Sequence, residues 1–241
     1  MRKRADIVLV ERGFFPSRTR ARAAIEARLV TAGGAVLRKA SEEIDEAAAI
    51  GAAAPHPYVS RGGLKLAAAL DAFGLDPAGL VCLDVGASTG GFTDVLLRRG
   101  AARVVAVDVG HGQIDPSLAA DPRVLVLEGV DARALTADQI GEAPGFIVCD
   151  VSFISQRLVL PHVLALAAGR AWLVSLIKPQ FEVGPAEIVK GRVRSDTALR
   201  RACDDVAACI AAQGWSLIGL TPSPVPGGAG AKEFLAAARH G

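Results

Sequence analysis

The stretch Cys82-Leu83-Asp84-Val85-Gly86-Ala87-Ser88-Thr89-Gly90-Gly91-Phe92-Thr93 decides the fold. An apolar run over residues 80–85 stops at a glycine-rich turn, and a helical pattern (Phe92, Val95, Leu96, Leu97) begins directly after it. Strand, tight turn and helix N-terminus in that order turn backbone N–H groups toward a ligand. The dinucleotide fingerprint needs glycine at its second position, so that the backbone can approach a pyrophosphate. Here that position is Ser88. The turn therefore suits a ligand that has no pyrophosphate.

Outward from this motif the pattern repeats. Strands are expected at 103–108, 124–127, 146–150 and 171–177, with helices at 60–72, from the turn to 99, to about 168, and at 198–212. A final strand pair, 216–220 and 233–237, spans the loop 222–232. Strands alternating with helices predict a parallel sheet covered on both faces. The fold class is thus α/β, Rossmann-like, closed by a strand pair as in class I methyltransferases.

A different unit precedes it. Residues 5–11 read as a short helix closed by Gly13, and Ser17 as the N-cap of a second helix running to about residue 28. A hairpin with a Gly33-Gly34 turn follows. This small α+β unit is assigned to residues 1–53, a linker with Pro55 and Pro57 to 54–59, and the large domain to 60–241. Residues 1–35 hold eight Lys/Arg against three Asp/Glu, whereas the whole chain is only +2. A basic head on a near-neutral body is expected to meet a polyanion.

Composition narrows the class. The hydrophobic fraction is 51% and the charged fraction 22%, ordinary for a soluble globular chain. The four cysteines show no C-x-x-C spacing, so they are expected to be reduced thiols of a cytoplasmic protein, with no metal site. The most span-like run, 158–177, is broken by Pro161, His162, Gly169 and Arg170, and no membrane association is expected.

The candidate site follows from strand ends, which face the crevice of such a sheet. S-adenosylmethionine lacks a pyrophosphate. Its cationic amino acid end suits Asp84, and Gly86, Ser88, Thr89, Gly90, Gly91 and Phe92 would form its turn. Asp108 ends the second strand, where an acid binds ribose hydroxyls, and Asp131, after the third, would meet the adenine amino group. Asp150 ends the fourth strand, beside the transferring methyl. Lys178 directly follows the apolar fifth strand and is costly to bury unpaired. The neighbouring ends let Lys178 and Asp150 satisfy each other.

Two resemblances sharpen this reading. Arg4, Leu9, Arg12, Gly13, Ser17, Arg18, Ala21, Ile25, Val30 and Gly34 resemble the pattern of the S4 RNA-binding domain. Ser60-Arg61-Gly62-Gly63-Leu64-Lys65-Leu66, the glycine turn, Asp150-Val151-Ser152-Phe153-Ile154-Ser155 and Lys178-Pro179-Gln180-Phe181-Glu182 resemble the TlyA family over nearly the whole chain. That resemblance implies an rRNA cytidine 2′-O-methyltransferase dependent on S-adenosylmethionine. From the related FtsJ-type enzymes it implies a catalytic tetrad of Lys65, Asp150, Lys178 and Glu233. RNA contacts are expected at Arg4, Arg18, Arg20, Arg22 and Arg61. The short ends resemble family members associated with large-subunit (23S) rRNA, with 16S a further target, acting as a monomer on the ribosomal subunit. The alternatives are an S4-type RNA-binding protein with a silent methyltransferase domain and a membrane-active haemolysin.

Overall fold

A computed structural model describes residues 1–53 and 56–241, in two compact units, Met1–Pro57 and Tyr58–Gly241. Of the expected linker, residues 54 and 55 lie outside the described residues. Tyr58, Val59 and Ser60 belong to the larger unit. Val59 N–H donates to Asp94 Oδ2 at 2.9 Å, and the Arg98 guanidinium, paired with Asp94 at 2.6 Å, lies over the Tyr58 ring.

The larger unit is built on a seven-stranded sheet: β1 (Val81–Val85), β2 (Arg103–Asp108), β3 (Val124–Glu128), β4 (Phe146–Cys149), β5 (Ala171–Ile177), β6 (Ser216–Pro222) and β7 (Phe234–His240). Its spatial order is β3-β2-β1-β4-β5-β7-β6. The first five strands are parallel, and β7 lies antiparallel between β5 and β6. β1, β4 and β5 are largely apolar on both faces, with Asp84 and Ser175 the buried polar exceptions, because both faces are covered. One core fills the side holding Leu83, Ile147, Leu173 and α3 (Asp196–Ala212). The other fills the side holding Cys82, Val148, Leu176, α1 (Gly62–Phe73) and α2 (Gly91–Arg98). Cys149 is in the first core, as alternation requires.

Two expectations are corrected. The helix expected to reach about residue 168 is a 3-10 turn at Gln156–Leu158 followed by one short helix, Leu160–Leu164. Pro161 fits only a first helical turn, so the helix starts there rather than running through. The last strand extends to His240 and begins at Phe234, which leaves Glu233 just ahead of it.

The smaller unit has its own core, with Val8, Leu9, Ala21, Ile25, Val30 and Ile44 buried together. Its helices are Ala5–Glu11 and Arg18–Glu26, the second capped by Ser17 Oγ accepting from Arg20 N–H. Val30–Ala32 pairs with Ala35–Val36 across the glycine turn and, on its other side, with Ile50–Ala52. Arg28 ends the helix region in the left-handed conformation, two residues past Glu26.

Candidate functional site

The strand order reverses between β1 and β4, and the site lies beyond their carboxyl ends, where such a sheet opens a crevice. The two backbones nearly touch there. A Cβ on Gly86 would sit 2.6 Å from the Asp150 carbonyl oxygen, and Gly86 itself has φ of 83°. Glycine is therefore required on both counts. Gly91 has no room for a side chain either, because a Cβ would fall 2.1 Å from Ser60 Oγ. That contact seats the Ser60-Arg61-Gly62-Gly63 segment on the start of α2. Ser88, at φ 47°, and Phe153, at φ 63°, are non-glycine residues in the left-handed region, and both border the site. Strained residues of this kind concentrate at functional sites.

Two adjoining cavities share Gly86, Ser88, Asp150 and Ser152 in their walls. The larger, about 590 Å³, is lined by Asp108, Gln113, Asp131 and apolar side chains including Val107, Val130, Ala132 and Val159. The smaller, about 290 Å³, is lined by Ser60, Arg61, Lys65, Thr89, Phe92 and Lys178.

Asp108 braces the larger cavity. Its Oδ2 accepts from Ser88 N–H at 2.8 Å and its Oδ1 from Gly110 N–H at 2.7 Å, so one carboxylate joins the glycine turn to the loop after β2. Glu128, at the end of β3, accepts from the N–H groups of Gly112, Gln113 and Ile114, and these bonds hold its carboxyl below the usual range. Gln113 thereby reaches Ser88, whose Oγ donates to its Oε1 at 3.0 Å. Neither Gln113 nor Glu128 was legible as a site residue, since nothing local distinguishes them from loop polar groups. Asp131 lines the same cavity while capping the turn Ala132–Ala134. Its hydrogen bond from the Arg133 side chain, above all, lowers its carboxyl to about 2.

Asp84 is placed differently from the expectation. It lies fully buried beneath the turn and lines neither cavity. Thr93 Oγ1 donates to its Oδ2 at 2.6 Å, tying β1 to α2, while its Oδ1 has no partner among the described residues. Desolvation, against the Thr93 hydrogen bond and aided by the nearby Asp150 charge, raises its carboxyl to about 7. The residue supports the turn from behind rather than facing a ligand.

The four chemistry-bearing residues form two crossed pairs. Lys178 Nζ lies 2.6 Å from Asp150 Oδ1 and donates to Ser152 Oγ at 2.8 Å. Lys65 Nζ, on α1, lies 2.5 Å from Glu233 Oε2, with Lys65 9% and Glu233 5% exposed. Strand register explains the proximity. Ile177 faces Phe234 across β5 and β7, so the next residues outward, Lys178 and Glu233, leave the sheet side by side. Ser152 is an addition to the expected set, and its signal was its place in the Asp-Val-Ser-Phe run.

The basic residues of the smaller unit divide. Asp6, fully buried, accepts from Arg4 Nε at 3.0 Å and from Arg18 Nη2 at 2.8 Å. The Arg4 hydrogen bond, then that of Arg18, holds its carboxyl at about 2 against desolvation. Arg4 and Arg18 therefore have a structural duty. Arg22 is exposed and Arg20 half-buried.

Comparisons with known proteins agree with this architecture. Residues 58–240 match the FtsJ-like methyltransferase family and residues 3–50 the S4 domain. The chain is 45% identical over 237 residues to the 16S/23S rRNA (cytidine-2′-O)-methyltransferase TlyA of Mycobacterium tuberculosis, covering 97% of this chain and 88% of that one. It is 36% identical over 235 residues to Hemolysin A of Brachyspira hyodysenteriae, covering 97% and 98%. A solved Streptococcus thermophilus chain that carries a hemolysin name superposes with a TM-score of 0.79 at 38% identity, covering 99% of this chain and 88% of that one. Fold and site define a class I methyltransferase domain joined to an S4 domain. The chain belongs to the TlyA family.

Proposed function

We propose that the protein is an S-adenosylmethionine-dependent rRNA methyltransferase acting on the 2′-hydroxyl of cytidine. The observation that carries the reading is the pair of lysine–carboxylate contacts at the mouth of the turn, Lys178 with Asp150 and Lys65 with Glu233. A silent domain would have no need to hold two lysines against carboxylates around a cavity.

The residues present fit the cofactor. The apolar walls and Asp108 of the larger cavity suit an adenosine, with Asp131 in the same wall, and Gly86, Ser88, Thr89, Gly91 and Phe92 would hold the amino acid end, whereas Gly90 lines neither cavity and is closed off by Leu118 and Ile114. When bound, the sulfonium supplies an electrophilic methyl group. The protein orients the acceptor and removes its proton. An ammonium has three donors. On Lys178 one of them goes to Ser152, while the ammonium is held by its charge against Asp150, which leaves a donor to fix the lone pairs of an incoming 2′-hydroxyl. As the methyl leaves the sulfonium, which departs as a neutral thioether, Nζ would pass a proton to Asp150 and take the one the hydroxyl loses, so the pair absorbs one proton as a unit. Such help is worth about 10²–10⁴-fold, and alignment supplies more. Lys65, fixed by Glu233, and Arg61 line the cavity that receives the nucleotide and would meet its phosphates.

The S4 unit would dock the ribosomal RNA through Arg20 and Arg22, with Arg4 and Arg18 contributing their outward faces. A cytoplasmic place of action follows from that substrate. No helix of the described residues is long and apolar enough to cross a membrane. The test is a map of alkali-resistant linkages in 16S and 23S rRNA from subunits treated with protein and S-adenosylmethionine. Alkaline cleavage needs a free 2′-OH, so a new resistant cytidine is expected. Transfer of methyl to a base, or to no RNA, would overturn the reading.

A further inference from the structure

The larger unit is not basic as a whole. Residues 58–241 hold 17 Lys/Arg against 18 Asp/Glu. Yet five of those cations, Lys190, Arg192, Arg194, Arg200 and Arg201, fall within twelve residues. They sit on and beside a small hairpin, Ile188–Val189 paired with Arg192–Val193, that neither the proposed chemistry nor the cofactor cavity uses.

The hairpin is built to present charge. Its inward pair, Ile188 and Val193, packs with Leu199, Val183 and Phe234. Val183 follows the turn that begins at Lys178, and Phe234 follows Glu233, so the hairpin is anchored on the two segments that end in catalytic candidates. Its outward pair is Val189 and Arg192, both exposed, with Lys190 and Gly191 at the tip. Lys190 has φ of 50° and Gly191 of 75°, the two left-handed residues of a tight hairpin turn that pushes the lysine into solvent. The Arg192 guanidinium lies about 3.5 Å from where a Cβ on Gly230 would be, over the loop that leads to Glu233.

The charges are also uncommitted. Arg201 pairs with Glu187, and Lys232 nearby pairs with Asp196. Lys190, Arg192, Arg194 and Arg200 have no ion pair or side-chain hydrogen bond among the described residues. All four are exposed. Like charges that are not committed to a counter-charge repel one another, which is a cost to the free protein that a polyanion relieves.

We infer that this hairpin is a phosphate clamp of the methyltransferase unit, gripping the RNA backbone that flanks the nucleotide held at Lys178. The inference rests on the proposed function for the identity of the RNA, and on the hairpin's own geometry for the contact. Backbone contacts of this kind give affinity and register without reading sequence. They would hold the strand while Lys178 and Asp150 act on one ribose.

The test compares two full-length double variants of equal charge change. One is Lys190→Ala with Arg194→Ala. The control is Arg170→Ala with Arg239→Ala, two exposed cations at the other end of the sheet, where Arg239 faces Trp172 at the start of β5. Binding of 23S rRNA is followed across a salt titration, with S-adenosylmethionine affinity and rate at saturating RNA measured alongside. The hairpin variant is expected to lose about 2 from the slope of log affinity against log salt, about one per phosphate contact. Its KM for rRNA should rise roughly tenfold or more, given the steep salt dependence of such contacts, with kcat and cofactor affinity within about twofold. The control should match wild type, and Lys190→Arg with Arg194→Lys should restore the slope. If hairpin and control variants behave alike, whether both unchanged or both weakened, the clamp is overturned. If wild-type protein methylates no rRNA, the proposed function falls instead, and the slope comparison still decides the clamp.

Discussion

At the scale of single residues, the site depends on where two protons reside. Lys178 is held by Asp150 and Ser152, and the proposed reaction uses it as an orienting donor and a proton relay. Lys178→Ala should lower the methylation rate by ~10² or more while calorimetry finds cofactor binding within a few-fold. Lys178→Arg should fail as well, because a guanidinium stays charged and cannot exchange the proton. An active Lys178→Arg enzyme would leave orientation as the lysine's whole role. Asp84 sets a second, thermodynamic expectation. Burial raises its folded carboxyl to about 7, above the ordinary 3.8. The native state therefore binds the extra proton between those values, and stability from this group is present below about pH 4 and lost as pH rises through about 7. Asp84→Asn cannot ionise, so its thermal midpoint should vary less than wild type between pH 5 and 8. Parallel pH profiles for the two proteins would show that Asp84 stays charged. The sequence showed Asp84 as a carboxylate opening a turn, but not that it faces inward. That was decided by the closure of α2 over β1 through Thr93.

At the scale of elements, regular periodicity was readable and short pieces were not. The turn, α1, α2, α3 and the long strands announce themselves through apolar spacing, and the second helix of the smaller unit through its cap, Ser17, whereas the Ser195 cap of α3 emerged only in the structure. The four-residue helices Pro116–Ala119 and Ala137–Ile140 do not, because one turn offers too few positions for a pattern. The same limit hid the Ile188–Val193 hairpin. In the smaller unit, helix charge misleads if read alone. Arg18 reads as a phosphate contact in the first turn of its helix, yet with Arg4 it neutralises buried Asp6. Arg18→Ala should therefore destabilise this unit by about 1–3 kcal/mol, the range for a lost hydrogen bond to a charged group. Exposed Arg22→Ala should leave the melting temperature unchanged and weaken RNA binding alone. Because Asp6 sits at about 2, the stability it contributes is complete above about pH 4 and is lost as pH falls toward 2. Thermal melts of both variants at pH 7, with RNA affinity measured beside them, separate the two duties.

At the scale of the whole molecule, the core of the smaller unit shares no residue with those of the larger. The buried cluster of the first unit draws only on residues 5–50, and the clusters of the second start at Tyr58. Residues 58–241 expressed alone should accordingly fold, bind S-adenosylmethionine as the full chain does, and methylate rRNA poorly, because the S4 unit is absent. A body that methylates at the full-length rate across a salt titration would remove docking from the S4 unit. The division into a basic head and a sheet-based body was legible from charge and periodicity, and so was the cofactor turn, because each is a property of neighbouring residues. The pairing of Lys65 with Glu233 is not local: 168 positions separate them along the chain. The resemblance named both residues, but only the register of β7 against β5 and the packing of α1 bring their charges together. The sequence by itself determined the long elements and which strand ends offer groups for chemistry. Tertiary structure alone decided which charges meet, which face a cavity and which are spent on stability. Those outcomes depend on distances between segments that local propensity does not encode.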